Sequence, residues 1–257
     1  MEFRQAMTQT LAKMMQEDEK ICILDADLAK PNGTTPLYEK FPDRCFDVGI
    51  AEANMIGIAA GLSAYGYKPI AFTFAPFATR RVCDQIAISV AYAKQNVKIV
   101  GTDPGITAEL NGGTHMSFED IAVVRSIPDM TIYDAVDDIQ LSQAIEQIMK
   151  LDTPVYIRMP RKNAQPVFDK NYKFNLFKAD IIEEGTDVTI IATGIMVAEA
   201  KKAVEMLKKD GISAELISAN VIKPLDEKTI LESIKKTKHV VTCENHNLIC
   251  LLYTSDA

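Results

Sequence analysis

Segments with β-strand character and segments with helical character alternate along almost the whole chain, and this order constrains the fold more than any other feature. Short apolar runs are separated by longer stretches whose apolar residues recur at helical spacing. Such alternation is typical of a parallel sheet covered by helices on both faces. The sequence therefore predicts an α/β fold, with strands of its first part at 21–24, 45–50, 69–74, 97–102, 130–134 and 154–159, and with a helix over 78–95.

The alternation breaks once, and this break divides the chain into two predicted domains. Residues 1–160 form the first domain, and 161–178 have no sustained period and are interpreted as a linker. Residues 179–257 form a smaller α/β domain with about three strands. Because the pattern stops abruptly, we expect this second domain to be incomplete and the tail from about residue 250 to be non-native.

Local signals inside the second domain predict where its elements begin and end. One strand is predicted over 213–222. Asp226 precedes a helical pattern at a position suited to an N-cap. Gly211 follows the predicted end of another helix and is suited to stop it.

Composition and charge exclude several classes of protein. Of the 257 residues 47% are hydrophobic, which is too many for a disordered chain. No apolar stretch approaches the roughly 20 residues of a membrane-spanning helix. The net charge of −7 argues against nucleic acid or an anionic membrane as the main partner, because that binding needs a cationic surface. The five cysteines are odd in number and lack metal-site spacing, which is typical of reduced thiols in the cytoplasm.

Glu52 is the first candidate for chemistry, because it is the only charged residue between Asp47 and Lys68 and begins an apolar helix. One interpretation places its carboxylate in a solvated first turn, where it complements the helix dipole. The other places it in an apolar pocket, where loss of hydration lets it share a proton with a ligand. Phe74 and Phe77 follow a predicted strand and would complete such a pocket for a flat ring, although core packing explains either residue alone.

Further candidates lie in a glycine-rich loop and at a strand end. His115 follows a Gly-Gly pair and is either solvated or directed into a site. Ser117 and Asp120 have the spacing of a capping box for the next helix. Arg158 and Arg161 are suited to clamp a phosphate or a carboxylate, and surface salt bridges are the alternative for each.

Several segments resemble the pyrimidine-binding and C-terminal regions of transketolase in order and spacing. They are DVGIAEANMIGIAAGLSAYGYKPIAFTFAPF, NGGTHMSFEDIAVVRSIPDM, TPVYIRMPRK, VIKPLDE and TCENHN. The GDG…N motif, which holds magnesium and the diphosphate of thiamine diphosphate in this family, is absent from the sequence. The chain therefore resembles the second subunit of a split transketolase, whose site would lie at an interface with an N-terminal diphosphate-binding subunit.

The resemblance implies roles for individual residues. Glu52 matches the catalytic glutamate that binds N1′ of the aminopyrimidine, and Phe74 and Phe77 match the aromatic residues that hold this ring. His115 matches a histidine of the substrate funnel, which we expect to be catalytic, and Arg161 matches an arginine that binds the sugar phosphate. The other implied cofactor contacts are Asp27, Leu28, Ile50 and Arg80, and the other implied substrate contacts are Asp103 and Asn111.

Three of these positions depart from the family pattern. Arg80 stands where a third aromatic residue of the ring pocket is usual. Asp103 stands where many members have a histidine, and Asn111 where they have an aspartate. All three positions face cofactor or substrate in the family, so the departures leave the identity of the ketose and the aldose open.

The activity that the resemblance implies is transfer of a two-carbon ketol unit between sugar phosphates, with thiamine diphosphate as cofactor. Mg²⁺ is expected on the partner chain, no metal ligand is assigned to this one, and a dimer of heterodimers is expected. The alternatives are deoxyxylulose-phosphate synthase, the β subunit of a 2-oxoacid dehydrogenase, and a non-catalytic partner subunit. The joint presence of Glu52, Phe74 and Phe77 argues against the last of these.

Overall fold

A computed structural model describes residues 1–162, 165–249 and 251–252 of the chain. Its helices are α1 (Phe3–Glu17), α2 (Ala29–Asn32), α3 (Thr35–Lys40), α4 (Glu52–Ala64), α5 (Ala75–Ala78), α6 (Cys83–Gln85), α7 (Asp120–Arg125), α8 (Asp138–Ile148), α9 (Met196–Lys209) and α10 (Glu227–Thr237). Its strands are β1 (Ile21–Asp25), β2 (Cys45–Asp47), β3 (Lys68–Phe74), β4 (Lys98–Thr102), β5 (Thr131–Asp134), β6 (Val155–Met159), β7 (Asp180–Glu183), β8 (Val188–Ala192), β9 (Ala214–Ser218), β10 (Val221–Lys223) and β11 (Val240–Cys243).

Two sheets organise these elements. The larger has seven strands in the order β10-β5-β6-β4-β3-β1-β2, and all neighbours are parallel except β10, which runs antiparallel to β5. The smaller has four strands in the order β11-β8-β9-β7, with β7 antiparallel to β9. The predicted α/β fold class, with a mostly parallel sheet and a second, smaller unit, is confirmed. Of the suspected non-native tail, residues 250 and 253–257 lie outside the described residues.

The strand predicted over 213–222 is instead two strands in different sheets. Ala214–Ser218 forms β9 of the small sheet, and Val221–Lys223 forms β10 at the edge of the large sheet. Asn220 lies between them, where its side-chain amide donates to Asp180 and its carbonyl oxygen accepts the backbone N–H of Asp134. The apolar run is continuous in sequence because both halves are buried, so the pattern does not show the change of sheet.

The helix predicted over 78–95 is interrupted. Thr79 has φ −128° and ψ −83°, outside the helical region, and it is followed by a 3₁₀ turn (Arg80–Val82), the short helix α6 and a π-helical segment (Ile86–Tyr92). The Thr79 hydroxyl donates to the carbonyl oxygen of Ala75, which offers the backbone an alternative to a continued helix. As a result, Arg80 and Arg81 lie in a turn beside the end of β3 rather than inside a regular helix.

Helices cover the large sheet on both faces, and alternate strand residues supply the two apolar layers. Helices α1, α3 and α8 pack in one layer, and α4, α7 and the π-helical segment pack in the other. Helix α1 contributes Phe3, Met7, Leu11 and Met15, which recur every fourth residue and are completely buried. Each such side chain stabilises the fold by roughly 1.5–3 kcal/mol on burial. Within the residues that the structure describes, no helix is long and apolar enough to cross a membrane.

The predicted helix ends in the second unit are confirmed. The Asp226 carboxylate accepts the backbone N–H of Thr229 and caps α10. Gly211 has φ +80°, and its N–H donates to the carbonyl oxygen of Lys208 just after α9 ends.

Arg158 is an interior residue, so neither the ligand clamp nor the surface salt bridge predicted for it is correct. It lies in β6 and is 1% exposed. Its Nε donates to Asp120 Oδ2 at 2.7 Å, its Nη1 to Asp134 Oδ2 at 3.2 Å, and its Nη2 to the carbonyl oxygen of Asn245 at 2.7 Å. Because Asn245 follows β11 of the small sheet, this guanidinium joins the two sheets through buried polar contacts.

The predicted capping box at the start of α7 is also wrong, for the same reason. The Asp120 carboxylate accepts hydrogen bonds from Arg158 and from the Tyr156 hydroxyl, at 2.9 Å for the latter, so it does not reach back to Ser117. Glu119 occupies the N-cap position instead. The Ser117 hydroxyl is buried without a hydrogen-bond partner among the described residues.

Substitution Arg158→Leu tests this assignment. It leaves the carboxyls of Asp120 and Asp134 buried without their cation, which we expect to lower the free energy of unfolding by about 3–5 kcal/mol. Urea denaturation followed by circular dichroism measures the change. Lys202→Leu serves as control, because Lys202 and Glu199 form an exposed pair whose loss should leave the free energy of unfolding nearly unchanged. Similar values for the two variants would contradict the interior role of Arg158.

Candidate functional site

The candidate site lies along the carboxyl ends of neighbouring parallel strands, where ligands of open α/β sheets bind. Phe74 is the last residue of β3, and it is in register with Thr102, the last residue of β4. Thr102 is in turn in register with Met159, the last residue of β6. The residues that follow these three ends, which include Asp103 and Arg161, are therefore brought to one edge of the sheet.

Three aromatic side chains from separate segments meet at this edge. The ring centroids of Phe74 and Phe77 lie 6.1 Å apart, and the His115 ring lies 5.5 Å from the first and 5.2 Å from the second. All three pairs are edge-to-face, an arrangement that stabilises aromatic contacts. The glycine-rich loop thus directs His115 to the two phenylalanines, and we call these three residues the ring cluster.

Glu52 is the first residue of α4 and is only 3% exposed, so the interpretation of a solvated first turn does not describe it. Arg81 Nη1 donates to Glu52 Oε1 at 2.7 Å. The same guanidinium lies over the Phe77 ring, with Cζ 3.8 Å from the ring centroid. The sequence predicted an apolar pocket around Glu52. In the structure this pocket also contains a cation, the Arg81 guanidinium. Glu52 Oε2 accepts no hydrogen bond from the part of the chain that is described.

Arg80 holds the loop that carries His115. Its Nη1 donates to Glu119 Oε1 at 2.7 Å, and its Nη2 donates to the carbonyl oxygen of Thr114 at 3.2 Å. The Thr114 hydroxyl lies 2.8 Å from Nδ1 of His115. In this structure Arg80 therefore positions the loop and adds no third ring to the cluster.

Asp103 and Arg161 form an ion pair beside Phe74. Asp103 accepts the backbone N–H of Arg161 at 2.9 Å and also contacts its Nε. The Arg161 guanidinium lies over the Phe74 ring, with Cζ 4.8 Å from the ring centroid. Burial raises the pKa of Asp103, and the nearby Arg161 opposes this effect by favouring the carboxylate. Asp103 has φ +51°, which marks a constrained position directly after β4.

The other predicted site residues are more exposed. Asp27 is exposed with φ +58°, its N–H donates to Asp47 Oδ1 at 3.0 Å, and Leu28 beside it is half-buried. Ile50 is 76% exposed and does not line a closed pocket in this chain. Asn111 is exposed at the end of a 3₁₀ segment (Gly105–Asn111), and no hydrogen bond joins its side chain to the described residues.

Two residues that sequence reasoning missed organise this edge. The first is Arg81, and nothing in the sequence around it indicated that it would contact Glu52. Asp25 is the other: it ends β1, is completely buried, and accepts hydrogen bonds from Asn32, Thr34 and Tyr38. Burial raises the pKa of Asp25 to about 6. The sequence signal that could have identified Asp25 is an acidic residue at the end of an apolar strand. Through its hydrogen bonds, Asp25 fixes the loop that carries Asp27.

No cluster of three or more His, Cys, Asp or Glu side chains suited to a metal ion occurs in residues 1–162, 165–249 and 251–252. The first part of the chain is an α/β unit with helices on both faces of its sheet, and the aromatic ring cluster and the Glu52 carboxylate lie at the carboxyl edge of this sheet. A second, smaller α/β unit follows. The model of the transketolase pyrimidine binding domain matches residues 1–166, and that of the transketolase C-terminal domain matches 177–252. The chain therefore belongs to the transketolase family, as the resemblance predicted.

Named relatives agree with this assignment. The chain is 52% identical over 246 residues to a 6-deoxy-6-sulfo-D-fructose transketolase subunit of Clostridium sp. (strain MSTE9), covering 96% of this chain and 76% of that one. A solved split gene transketolase, described as an inactive beta4 tetramer, has a TM-score of 0.90 at 38% identity and covers 98% of this chain and 82% of its own. A 1-deoxy-D-xylulose-5-phosphate synthase of Heliobacterium modesticaldum is 31% identical over 248 residues, covering 96% of this chain and 38% of its own.

Substitution Arg81→Leu tests the contact with Glu52. It leaves a buried carboxylate without its charged donor, and we expect the free energy of unfolding to fall by about 1–2 kcal/mol. The effect is smaller than for Arg158→Leu because the Arg81 side chain is 44% exposed and solvent screens the pair. The neighbouring Arg80→Leu removes a more exposed pair, so its expected change is below about 1 kcal/mol. Urea denaturation of both variants would contradict the assignment if Arg80→Leu were the more destabilised.

Proposed function

We propose that the chain is the pyrimidine-binding subunit of a two-chain transketolase that transfers a two-carbon ketol unit between sugars with anionic end groups. The single observation that carries this proposal is the buried Glu52 carboxylate beside the ring cluster, at the carboxyl edge of a parallel sheet. Family membership implies thiamine diphosphate as cofactor.

The residues at this edge fit an aminopyrimidine. The Arg81 guanidinium is planar, stacks on Phe77 and donates an N–H to Glu52, and an aminopyrimidine offers the same two kinds of contact. The spacing between ring and carboxylate therefore suits a flat group with an N–H donor. Phe74 and Phe77 would hold the ring, and the Glu52 carboxyl would bind N1′. Asp27, Leu28, Ile50 and Arg80 are proposed to complete the cofactor surface.

The chain's own residues have distinct proposed tasks. When bound, thiamine diphosphate supplies the carbanion chemistry that breaks and forms the carbon–carbon bond beside the ketose carbonyl. Glu52 holds or releases a proton at the ring nitrogen, and its burial keeps competing water away. His115 is proposed to act as an acid or base toward the substrate. Asp103, Asn111 and Arg161 are proposed to bind the sugar and its end group.

The diphosphate and Mg²⁺ are proposed to bind to an N-terminal partner subunit. Two observations support a separate partner: the 52% identical relative is named a subunit, and the solved relative is titled a split gene transketolase whose beta4 tetramer is inactive. By analogy with the family, we propose a dimer of heterodimers. In this assembly Asp27 and Leu28 would contact a cofactor that is held largely by the other chain. We also propose a cytoplasmic location, where the free thiols of Cys22, Cys45, Cys83 and Cys243 would stay reduced.

The alternatives differ in substrate. The likeness to a 1-deoxy-D-xylulose-5-phosphate synthase supports condensation of pyruvate with glyceraldehyde phosphate as a second candidate. A 2-oxoacid dehydrogenase β subunit would instead decarboxylate a 2-oxoacid oxidatively. In a non-catalytic partner subunit, a buried carboxylate beside two phenylalanines would have no chemical task. Assays with a ketose and with pyruvate as donor distinguish these reactions.

Activity is predicted to require the partner. The purified chain alone should show no ketol transfer and weak or no binding of thiamine diphosphate, because it supplies only the pyrimidine side of the site. Addition of the co-purified partner should restore transfer, with activity that saturates at a fixed ratio of the two chains. A coupled ketol-transfer assay measures this, and robust activity of the chain by itself would contradict the two-chain assignment.

Glu52→Gln is predicted to lower kcat of the assembled enzyme by about 10²–10⁴-fold, because the amide keeps the shape of the side chain but cannot exchange a proton. Circular dichroism should show an unchanged fold. Glu146→Gln is the control, since Glu146 of α8 forms an exposed pair with Lys13 of α1 and belongs to neither the ring cluster nor its loop, and near-normal kcat is expected. Near-normal turnover of Glu52→Gln itself would contradict the proposed role.

A further inference from the structure

Asp103 and Arg161 form an ion pair in the proposed substrate site. Asp103 is the first residue after β4, and Arg161 is the second residue after β6. Because Asp103 contacts both the backbone N–H and the side-chain Nε of Arg161, it fixes the position of the guanidinium. The two side chains are 4% and 16% exposed, so solvent screens the pair weakly.

The outer edge of this guanidinium remains available to a ligand. Nη1 and Nη2 of Arg161 donate no hydrogen bond within residues 1–162, 165–249 and 251–252, since only its backbone N–H and Nε are engaged. The guanidinium also lies over Phe74, so it adjoins the ring cluster. Two parallel N–H donors of this kind match the oxygen atoms of a carboxylate, sulfonate or phosphate.

The neighbouring charges do not make this subsite cationic. Lys162, the next cation along the chain, lies 2.6 Å from the carboxylate of Glu109. Asp103 and Glu109 both belong to the segment that follows β4, so this segment supplies one acid for each of the two cations after β6. Because the Lys162–Glu109 pair is exposed and screened by solvent, the charge that an incoming anion meets is set mainly by the less exposed pair of Asp103 and Arg161.

A neutral ion pair discriminates between anions of different charge. The free energy needed to remove an ion's hydration grows with the square of its charge, so a dianion loses about four times as much as a monoanion of similar size. Its attraction to a fixed dipole grows only in proportion to the charge. The second negative charge of a phosphate is thus poorly compensated beside the Asp103 carboxylate.

We propose that Asp103 determines the charge specificity of the substrate site, so that a sugar end group with one negative charge, such as a sulfonate, is preferred over a phosphate dianion. This inference rests on the proposed function and narrows its substrate class. Asp103 acts through Arg161, whose position it fixes and whose charge it balances. The family-based expectation of sugar phosphates changes accordingly, because the family arginine is here opposed by a carboxylate.

The test uses the holoenzyme assembled with its partner at pH 8, where a phosphate monoester, with a second pKa of about 6, is a dianion. Three ketose donors are compared that differ only in the terminal group: phosphate, sulfonate or hydroxyl. In the wild type, kcat/KM for the sulfonate should exceed that for the phosphate by about tenfold. In Asp103→Asn this ratio should fall to about one, mainly because the KM for the phosphate decreases relative to the KM values for the sulfonate and the uncharged donor.

Asparagine suits this position because it tolerates φ +51° and keeps an oxygen that accepts the Arg161 N–H. Asp103→Gly provides a second variant, which accepts the same backbone geometry and should shift the ratio in the same direction. Glu109→Gln is the matched control: it removes an acid from the same segment, but its pair with Lys162 is exposed, so the ratio should stay within about twofold of the wild type.

A wild-type preference for the phosphate would overturn the proposal, and so would an equal change for all three donors in both Asp103 variants. Calorimetric binding of the same three ketoses to the holoprotein should follow the same order and tests charge preference independently of turnover. Absence of ketol transfer with every donor would contradict the proposed function, whereas the binding order would still decide the role of Asp103.

Discussion

The parallel register of β3, β4 and β6 is the constraint on which the candidate site depends. Their last residues, Phe74, Thr102 and Met159, stand side by side in adjacent strands. The segments that follow these three strand ends therefore lie next to one another in space, although they are far apart in sequence. Phe74, Asp103 and Arg161 therefore come together by backbone hydrogen bonding, and the loops have only to adjust their side chains.

Buried and half-buried charges along this edge are all compensated, but in two different ways. Glu52, Asp103 and Asp120 each face an arginine, and the arginines become more buried from Arg81 through Arg161 to Arg158. The most buried of these pairs joins the two sheets, and the two more exposed ones lie at the site. Asp25 instead accepts hydrogen bonds from neutral donors, and burial raises its pKa although these hydrogen bonds oppose the effect. The arginines at the site are therefore closer to solvent than the arginine that joins the two sheets.

Much of the fold was predictable because its signals are local. Alternating strand and helix patterns gave the parallel sheet, and Asp226 and Gly211 marked helix ends through their own backbone and capping chemistry. The errors arose where burial hid a boundary. The continuous apolar run over 213–222 concealed a change of sheet at Asn220, and the segment over 78–95 concealed the break at Thr79. Arg158 was misplaced because an arginine at a strand end looks the same in sequence whether the interior holds acids for it or not.

The sequence by itself determined the α/β class, the strands whose ends carry Phe74, Asp103 and Arg161, and the presence of an acid at the start of an apolar helix. These properties follow from the spacing of apolar residues and from capping, which act over a few residues. Only the tertiary structure decided which charges are paired: Arg81 with Glu52, 29 residues away, and Arg161 with Asp103, 58 residues away. The physical reason is that ion pairing depends on distance and burial in space, and the linear order of residues contains neither quantity.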